Sequence, residues 1–226
     1  MIYENIRHAV FLNRPNRFIA NIEIDGRVEP CHVKNTGRCL ELLTNRAELI
    51  VQENCSPLRK TKFDIISVYK GSRLINMDSQ VPNKVFAEWV KSSSLFNDIT
   101  QLKPEHSFGS SRFDFFIEAD GRKIFVEVKG VTLEEEGVVR FPDAPTQRGV
   151  KHLHELTESL RLGFDAYIAF VIQMKDVKYL EPNWATHPEF GYALREAVKQ
   201  GVKVIALDCI VGENSITAAD HVEVHL

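Results

Sequence analysis

Cysteine is scarce in this chain, and its few copies are scattered. Cys31, Cys39, Cys55 and Cys209 form no CxxC pair, and their spacing fits no usual zinc signature. Free thiols in a reducing cytosol, acting as small apolar side chains, are the expectation. Long hydrophobic runs are also missing: nothing approaches the roughly 20 apolar residues of a spanning helix. The opening stretch from Met1 to Phe11 lacks the apolar core of a secretion signal. A cytoplasmic protein without a membrane segment is therefore expected. Internal repeats and low-complexity segments are absent. So is a dominant charge: the net value is -3, which excludes a uniformly basic nucleic-acid binder.

What is present is a chain of 226 residues, 44% hydrophobic and 26% charged, enough for one large domain or two smaller ones with a proper core. Charge is divided unevenly. Residues 1–80 carry 12 Lys/Arg against 9 Asp/Glu, and the remainder 16 against 22. A basic first part suits phosphate, and an acidic second part can collect cations.

The first 80 residues read as short strands between turns: Phe18–Ile24, Val28–Val33, Cys39–Leu43, Glu48–Gln52 and Phe63–Tyr69, with turns at Asp25-Gly26 and Lys70-Gly71-Ser72. That spacing suggests a small barrel or sandwich. Val81-Pro82-Asn83 punctuates the chain, Asn83 is placed to cap a helix over Lys84–Val90, and the domain boundary is set near there, giving units of 1–80 and 81–226. Beyond Glu105, Phe113–Glu118 and Lys123–Val128 flank Asp120-Gly121, a strong hairpin signal. A helix over Pro145–Leu162, a buried strand over Ala166–Ile172, a helix over Phe190–Gln200 and a strand over Val202–Ile210 complete an α/β unit with a mixed sheet.

The hairpin predicts a site. A two-residue turn pairs Ala119 with Arg122 and, continued along the ladder, sets Asp114 opposite Glu127, with Lys129 on the same face. Directly opposed Cβ atoms lie roughly 4.5–5.5 Å apart, close enough for two carboxylates to share one divalent cation. Lys129 could steady charge developing on a phosphate. Val-Glu-Val-Lys can equally be the wet face of an amphipathic strand. Against that stand the Phe113, Phe115 and Phe116 rings around Asp114, a costly setting for an idle carboxylate, and Glu105 upstream as a third acid.

These residues carry a resemblance. Asp114 followed by Glu127-Val128-Lys129 resembles the PD-(D/E)xK core of restriction nucleases. The surrounding text is similar to the sugar fermentation stimulation protein A family, through His32-Val33-Lys34-Asn35-Thr36-Gly37, Ser111-Arg112-Phe113-Asp114-Phe115, Val126-Glu127-Val128-Lys129-Gly130-Val131-Thr132-Leu133 and the run Phe141 to Leu153. The resemblance implies an OB-like N-terminal barrel followed by a restriction-nuclease-like α/β domain. It also implies DNA binding with little sequence preference, and a regulatory link to sugar use. Asp114, Glu127 and the Val128 carbonyl would hold Mg²⁺ or Mn²⁺, Lys129 would assist catalysis, and Glu105 matches the acid preceding the core. Lys34 departs from the proline that some members carry. Pro104 and Ser107 replace expected basic residues.

Further DNA contacts are sought in Arg14, Arg17 and Phe18, two cations beside a ring that could stack a base, though solvated arginines and a core Phe read the same way. Asn35, Thr36 and Gly37 offer a small polar turn for close backbone approach. Arg112 beside the core, and Arg148, Lys151 and His152 on one helix face, offer a basic patch, or simply a solvated face. Two functions remain open: a DNA-binding regulator that keeps a nuclease-like fold, and a metal-dependent nuclease. The oligomeric state is open too, a dimer included.

Overall fold

A computed structural model describes residues 1–226 except Thr36, Cys55, Pro57, Leu58 and Ser110. The chain begins with six strands: β1 (Ile6–Asn16), β2 (Ile19–Ile24), β3 (Arg27–Val33), β4 (Glu48–Glu53), β5 (Phe63–Lys70) and β6 (Arg73–Asn76). Their order is β3-β2-β1-β4-β5-β6. A parallel β3–β5 pairing, with Cys31 opposite Phe63 and Val33 opposite Ile65, closes five of them into an OB barrel, which removes the sheet edges. The hairpin strand β6 extends β5 beyond the closure. Alternation fills the barrel: Ala20, Ile22 and Ile24 on β2 all point inward.

Helix α1 (Val81–Ser92) follows. Its N-cap is Gln80, with Pro82 in the first turn, so Asn83 lies inside the helix instead of capping it. The Asp78 carboxylate does the local work by accepting from Gln80 N at 3.0 Å. Next come β7 (Ile99–Phe108), β8 (Ser111–Ala119), β9 (Arg122–Val131), β10 (Glu134–Glu135), β11 (Val138–Phe141), α2 (Gln147–Arg161), β12 (Asp165–Ile172), β13 (Tyr179–Pro182), α3 (Pro188–Lys199), β14 (Lys203–Gly212), β15 (Ser215–His221) and β16 (Glu223–Val224). Six of these form a mixed sheet, β15-β14-β12-β9-β8-β7, and a smaller sheet runs β10-β11-β13-β16.

The large sheet is covered on both faces. Val81, Val85, Phe86 and Val90 of α1 pack with Ile124, Val126 and Val128 of β9. On the other face Val150, Leu153 and Leu156 of α2 and Phe190 and Leu194 of α3 pack with Phe113, Phe116 and Phe125. Thr146 caps α2, its hydroxyl accepting from Gly149 N at 3.0 Å, and Gly163 follows the helix at φ 86°, a conformation that suits glycine.

Two expectations change. Cys39–Leu43 is a turn, with Leu42 and Leu43 N–H groups both donating to the Cys39 carbonyl. Two long strands, β1 and β7, were not anticipated. The three described cysteines, Cys31, Cys39 and Cys209, are buried free thiols, and Cys55 lies outside the described residues. Among those residues no helix is long and apolar enough to cross a membrane.

Candidate functional site

The β8–β9 hairpin turns at Asp120 and Gly121, both at positive φ, and Ala119 pairs with Arg122 as the sequence predicts. The ladder stops at Phe115 opposite Val126, so Asp114 and Glu127 are not the directly opposed pair that continuing the register implies. The cause is a switch of faces. Phe115 and Ile117 point to α1, and strict alternation would put Phe113 with them, yet Phe113 packs with Phe116 on the α2 side. The strand turns over at Asp114. Its carboxylate reaches across to the neighbouring strand instead: Oδ2 accepts from Val128 N at 2.8 Å, and Oδ1 accepts from Asn83 Nδ2 at 2.8 Å.

Glu127 keeps the β9 alternation and faces α2. It is 3% exposed. Its Oε1 accepts from Lys129 Nζ at 2.5 Å and from His152 Nδ1. Its Oε2 is buried with no hydrogen-bond partner among the described residues. Burial pushes both carboxyls up. For Glu127 the His152 bond and the Lys129 ammonium outweigh burial and hold the group below the usual range. For Asp114 they do not: burial and the Glu127 charge raise it, against the opposing pull of Val128 N–H, Asn83 and Lys129. Two buried acids in mutual repulsion, one with a bare oxygen, make a setting that a cation would relieve.

Glu105 lies across the ladder from Asp114, between the Pro104–Phe115 and His106–Phe113 pairs, but its side chain is exposed and joins neither buried carboxylate. It is exposed on edge strand β7 at φ 55° and pairs with Arg112, 3.3 Å away. Val128 meets Asp114 through its N–H, while its side chain is buried against α1.

The basic candidates separate into two clefts. Arg112, Arg148 and Lys151, with Ser107, Gly109 and Ser111, line a cleft of about 490 Å³ that also touches His152. His152 is not on a solvated helix face: it is 3% exposed, and its contribution is to Glu127, not to the surface. The helix turn carries it inward beside Leu153 and Leu156. A second cleft, about 360 Å³, lies between barrel and sheet and is lined by Arg17, Asn35, Gly37, Gly130, Asp143 and Thr146 among others. Four separated sequence motifs thus contribute to these two clefts.

Arg14 and Arg17 behave differently. The Arg14 guanidinium is spent on backbone carbonyls: Nη1 donates to Gly37 and Arg38, Nη2 to Arg17 and Asn35, at 2.7–3.1 Å. It pins the loop and leaves little for a phosphate. Arg17 lies 4.6 Å over the Phe18 ring, which is 44% exposed rather than core. Asn35 Oδ1 accepts from Gly37 N at 2.8 Å, and a Cβ on Gly37 would lie 2.7 Å from Asp143 Oδ2, so a larger residue there would displace the Asp143 carboxylate from Cys39 N. Thr36 lies outside the described residues.

Sequence reading missed Asn83 and the true setting of His152. Both signals were present: Asn83 follows a proline inside a helix start, and His152 lies one helical turn before Leu156, at the edge of the arc of Leu153 and Leu156.

Comparison with known proteins agrees with the architecture. Residues 12–77 match the model of the SfsA N-terminal OB domain, and residues 80–215 that of the sugar fermentation stimulation protein RE domain. A sugar fermentation stimulation protein homolog from Desulfitobacterium hafniense strain Y51 is 61% identical over all of this chain and 99% of its own. One from Clostridium beijerinckii is 57% identical over the full length of both. The structure of Pyrococcus furiosus SfsA in complex with Ca²⁺ superposes with a TM-score of 0.91 at 27% identity, covering 100% of this chain and 98% of that one. The OB barrel, the mixed α/β domain and these end-to-end matches together place the chain in the sugar fermentation stimulation protein family.

Proposed function

We propose that this protein binds DNA and holds a divalent cation, Mg²⁺ or Mn²⁺, at Asp114 and Glu127. The observation that carries the reading is Glu127 Oε2, buried and without a partner among the described residues, beside an Asp114 carboxyl raised by burial and by that same glutamate. No group of three or more His, Cys, Asp or Glu side chains fit for a metal occurs among the described residues. A Mg²⁺ held here would have two carboxylates and would complete its shell with water and phosphate oxygens. The Val128 carbonyl is the further ligand that the family resemblance assigns. The Ca²⁺ in the Pyrococcus furiosus relative supports a cation site in this fold. Arg112, Arg148 and Lys151 surround the cleft beside Glu127, where cations meet a phosphate backbone. Arg17 and Phe18 on the barrel supply a charge and a stacking surface.

Hydrolysis of the phosphodiester is the second reading, and Lys129 favours it. Its ammonium sits 2.5 Å from Glu127 Oε1 and is largely buried, a costly arrangement that suits a charge meant to meet an anion in the transition state. When bound, the cation would acidify a water and polarise the phosphate. Lys129 would neutralise charge building on the phosphoryl oxygens, and Asp114, anchored by Val128 N–H and Asn83, would stay fixed throughout.

Thermal melts with and without millimolar Mn²⁺ test the cation site, since a ligand that binds only the native state stabilises it by mass action. The wild type should melt higher with Mn²⁺, and Asp114→Asn should lose the shift. An equal shift in Asp114→Asn, or none in the wild type, would remove the site. Filter binding and cleavage assays on single- and double-stranded DNA with Mg²⁺ or Mn²⁺ then separate a binding protein from a nuclease.

A further inference from the structure

Glu127 is held lopsidedly, and the lopsidedness has a visible source. Lys129 Nζ and His152 Nδ1 both sit on Oε1, whereas Oε2 is buried without a partner among the described residues. The second ring nitrogen of His152, Nε2, accepts from Arg148 Nε at 3.3 Å, one helical turn earlier. A nitrogen that accepts an arginine N–H carries a lone pair, so the ring proton resides on Nδ1 and points at Glu127. The ring is 3% exposed and meets Phe113 edge to face at 6.4 Å between centroids, which limits its swing. A carboxylate rotates freely about its last bond unless its oxygens are told apart. Two donors on one oxygen tell them apart.

We propose that His152 is a positioning residue for Glu127. It holds Oε1, so that Oε2 is the oxygen left for the cation, and Arg148 selects the tautomer that allows this. The proposal rests on the reading of Asp114 and Glu127 given above and extends it outward by one layer. His152 itself touches neither phosphate nor cation. Arg148, which also lines the basic cleft, links that cleft to the acidic centre through the ring.

The test measures Mn²⁺ affinity by isothermal titration calorimetry on the whole chain, for the wild type and for His152→Ala, His152→Asn and His152→Gln. Removing the outer partner of a metal-binding carboxylate typically weakens the metal by about 10–100-fold, and that loss is expected for His152→Ala. Asn places its amide nitrogen where Nδ1 lies and should recover most of the affinity. Gln places its amide where Nε2 lies and should not. A merely structural role would lower the melting temperature of all three variants without sorting Mn²⁺ affinity by amide position. Equal affinity in the wild type and His152→Ala, or rescue by Gln as good as by Asn, overturns the positioning role and leaves the cation site standing. Absence of Mn²⁺ binding in the wild type overturns the cation site and the positioning role together. If His152→Ala fails to fold, the Asn and Gln variants decide the matter on their own.

Discussion

Arg14 and Arg17 look alike in the sequence and are engaged differently in the fold, which yields a clean contrast. Arg14 ties four backbone carbonyls at 2.7–3.1 Å, so Arg14→Ala should cost about 1–3 kcal/mol of stability by stranding acceptors. Arg17 holds no carboxylate among the described residues and lies over Phe18. Arg17→Ala should leave the melting temperature nearly unchanged, weaken DNA binding and flatten the salt slope by roughly one unit. Fluorescence anisotropy across a salt series reads both numbers, and an unchanged slope would take the barrel off the DNA surface. Lys129 carries the riskier expectation. If the site hydrolyses DNA, Lys129→Ala should cut turnover by roughly 10²–10³ and keep most ground-state affinity, because its contact matters chiefly in the transition state. Cleavage unaffected by the substitution would assign Lys129 a purely local role beside Glu127. At this scale the sequence brought Glu127 and Lys129 together correctly, since their spacing on one strand face carries the contact that the fold shows. It could not show that Asp114 leaves its ladder, because the face switch at Phe113 depends on rings contributed by β7, β9 and α2.

Among the elements, legibility followed burial pattern. The β8–β9 hairpin announced itself through Asp120-Gly121, and its register was read correctly up to the point where pairing ends. Strand β12, buried throughout but for its first residue, was equally plain. Strand β7 was not: it is an edge strand, largely exposed and carrying Pro104, so it lacks the alternation that marks a half-buried strand. Cys39–Leu43 misled because apolar residues there repeat as 39, 42 and 43, a turn-like spacing that brings three of them inside and leaves Leu40 out. Strand β9 lines the cleft between barrel and sheet through Gly130, which is closely packed. A Cβ there would stand 2.6 Å from Gln173 Oε1 and 2.7 Å from Pro82 Cγ. Gln173 is itself committed, its amide donating to Asn76 Oδ1 at 2.9 Å and to the Asp78 carbonyl at 3.1 Å. Gly130→Ala should therefore destabilise the protein by about 1–3 kcal/mol through overpacking, and should weaken Mn²⁺-induced stabilisation by moving Lys129 next to it. Urea unfolding with and without Mn²⁺ checks this. A neutral Gly130→Ala would mean that Gln173 can give way.

At the scale of the molecule, the barrel and the α/β unit are fastened by charge as well as by apolar packing. Glu134 on β10 is buried, and its Oε2 accepts from Lys70 Nζ at 2.7 Å while its Oε1 pairs with Arg73 Nη1 at 2.9 Å. Both cations belong to the β5–β6 hairpin of the barrel. Gly137 N donates to Oε1 from the same turn as Glu134, at 2.5 Å. Burial raises the carboxyl, but the Lys70 bond, the Gly137 N–H and Arg73 together outweigh it and hold the group below the usual glutamate range. A depressed folded value means that the unfolded chain takes up the proton first as pH falls. The stabilisation from Glu134 is accordingly complete above the unfolded value of about 4.3, and it is lost as pH falls through the lower folded value. Glu134→Gln removes the carboxylate at every pH. It should cost about 1–3 kcal/mol at pH 7, where it leaves two cations without their buried partner, and the cost should shrink toward zero as the medium is acidified below pH 4. Urea melts of wild type and Glu134→Gln over that range give the difference directly. A gap that stays constant with pH would show that the link between the two units is steric, carried by packing alone, and that Lys70 and Arg73 gain nothing from the charge they face.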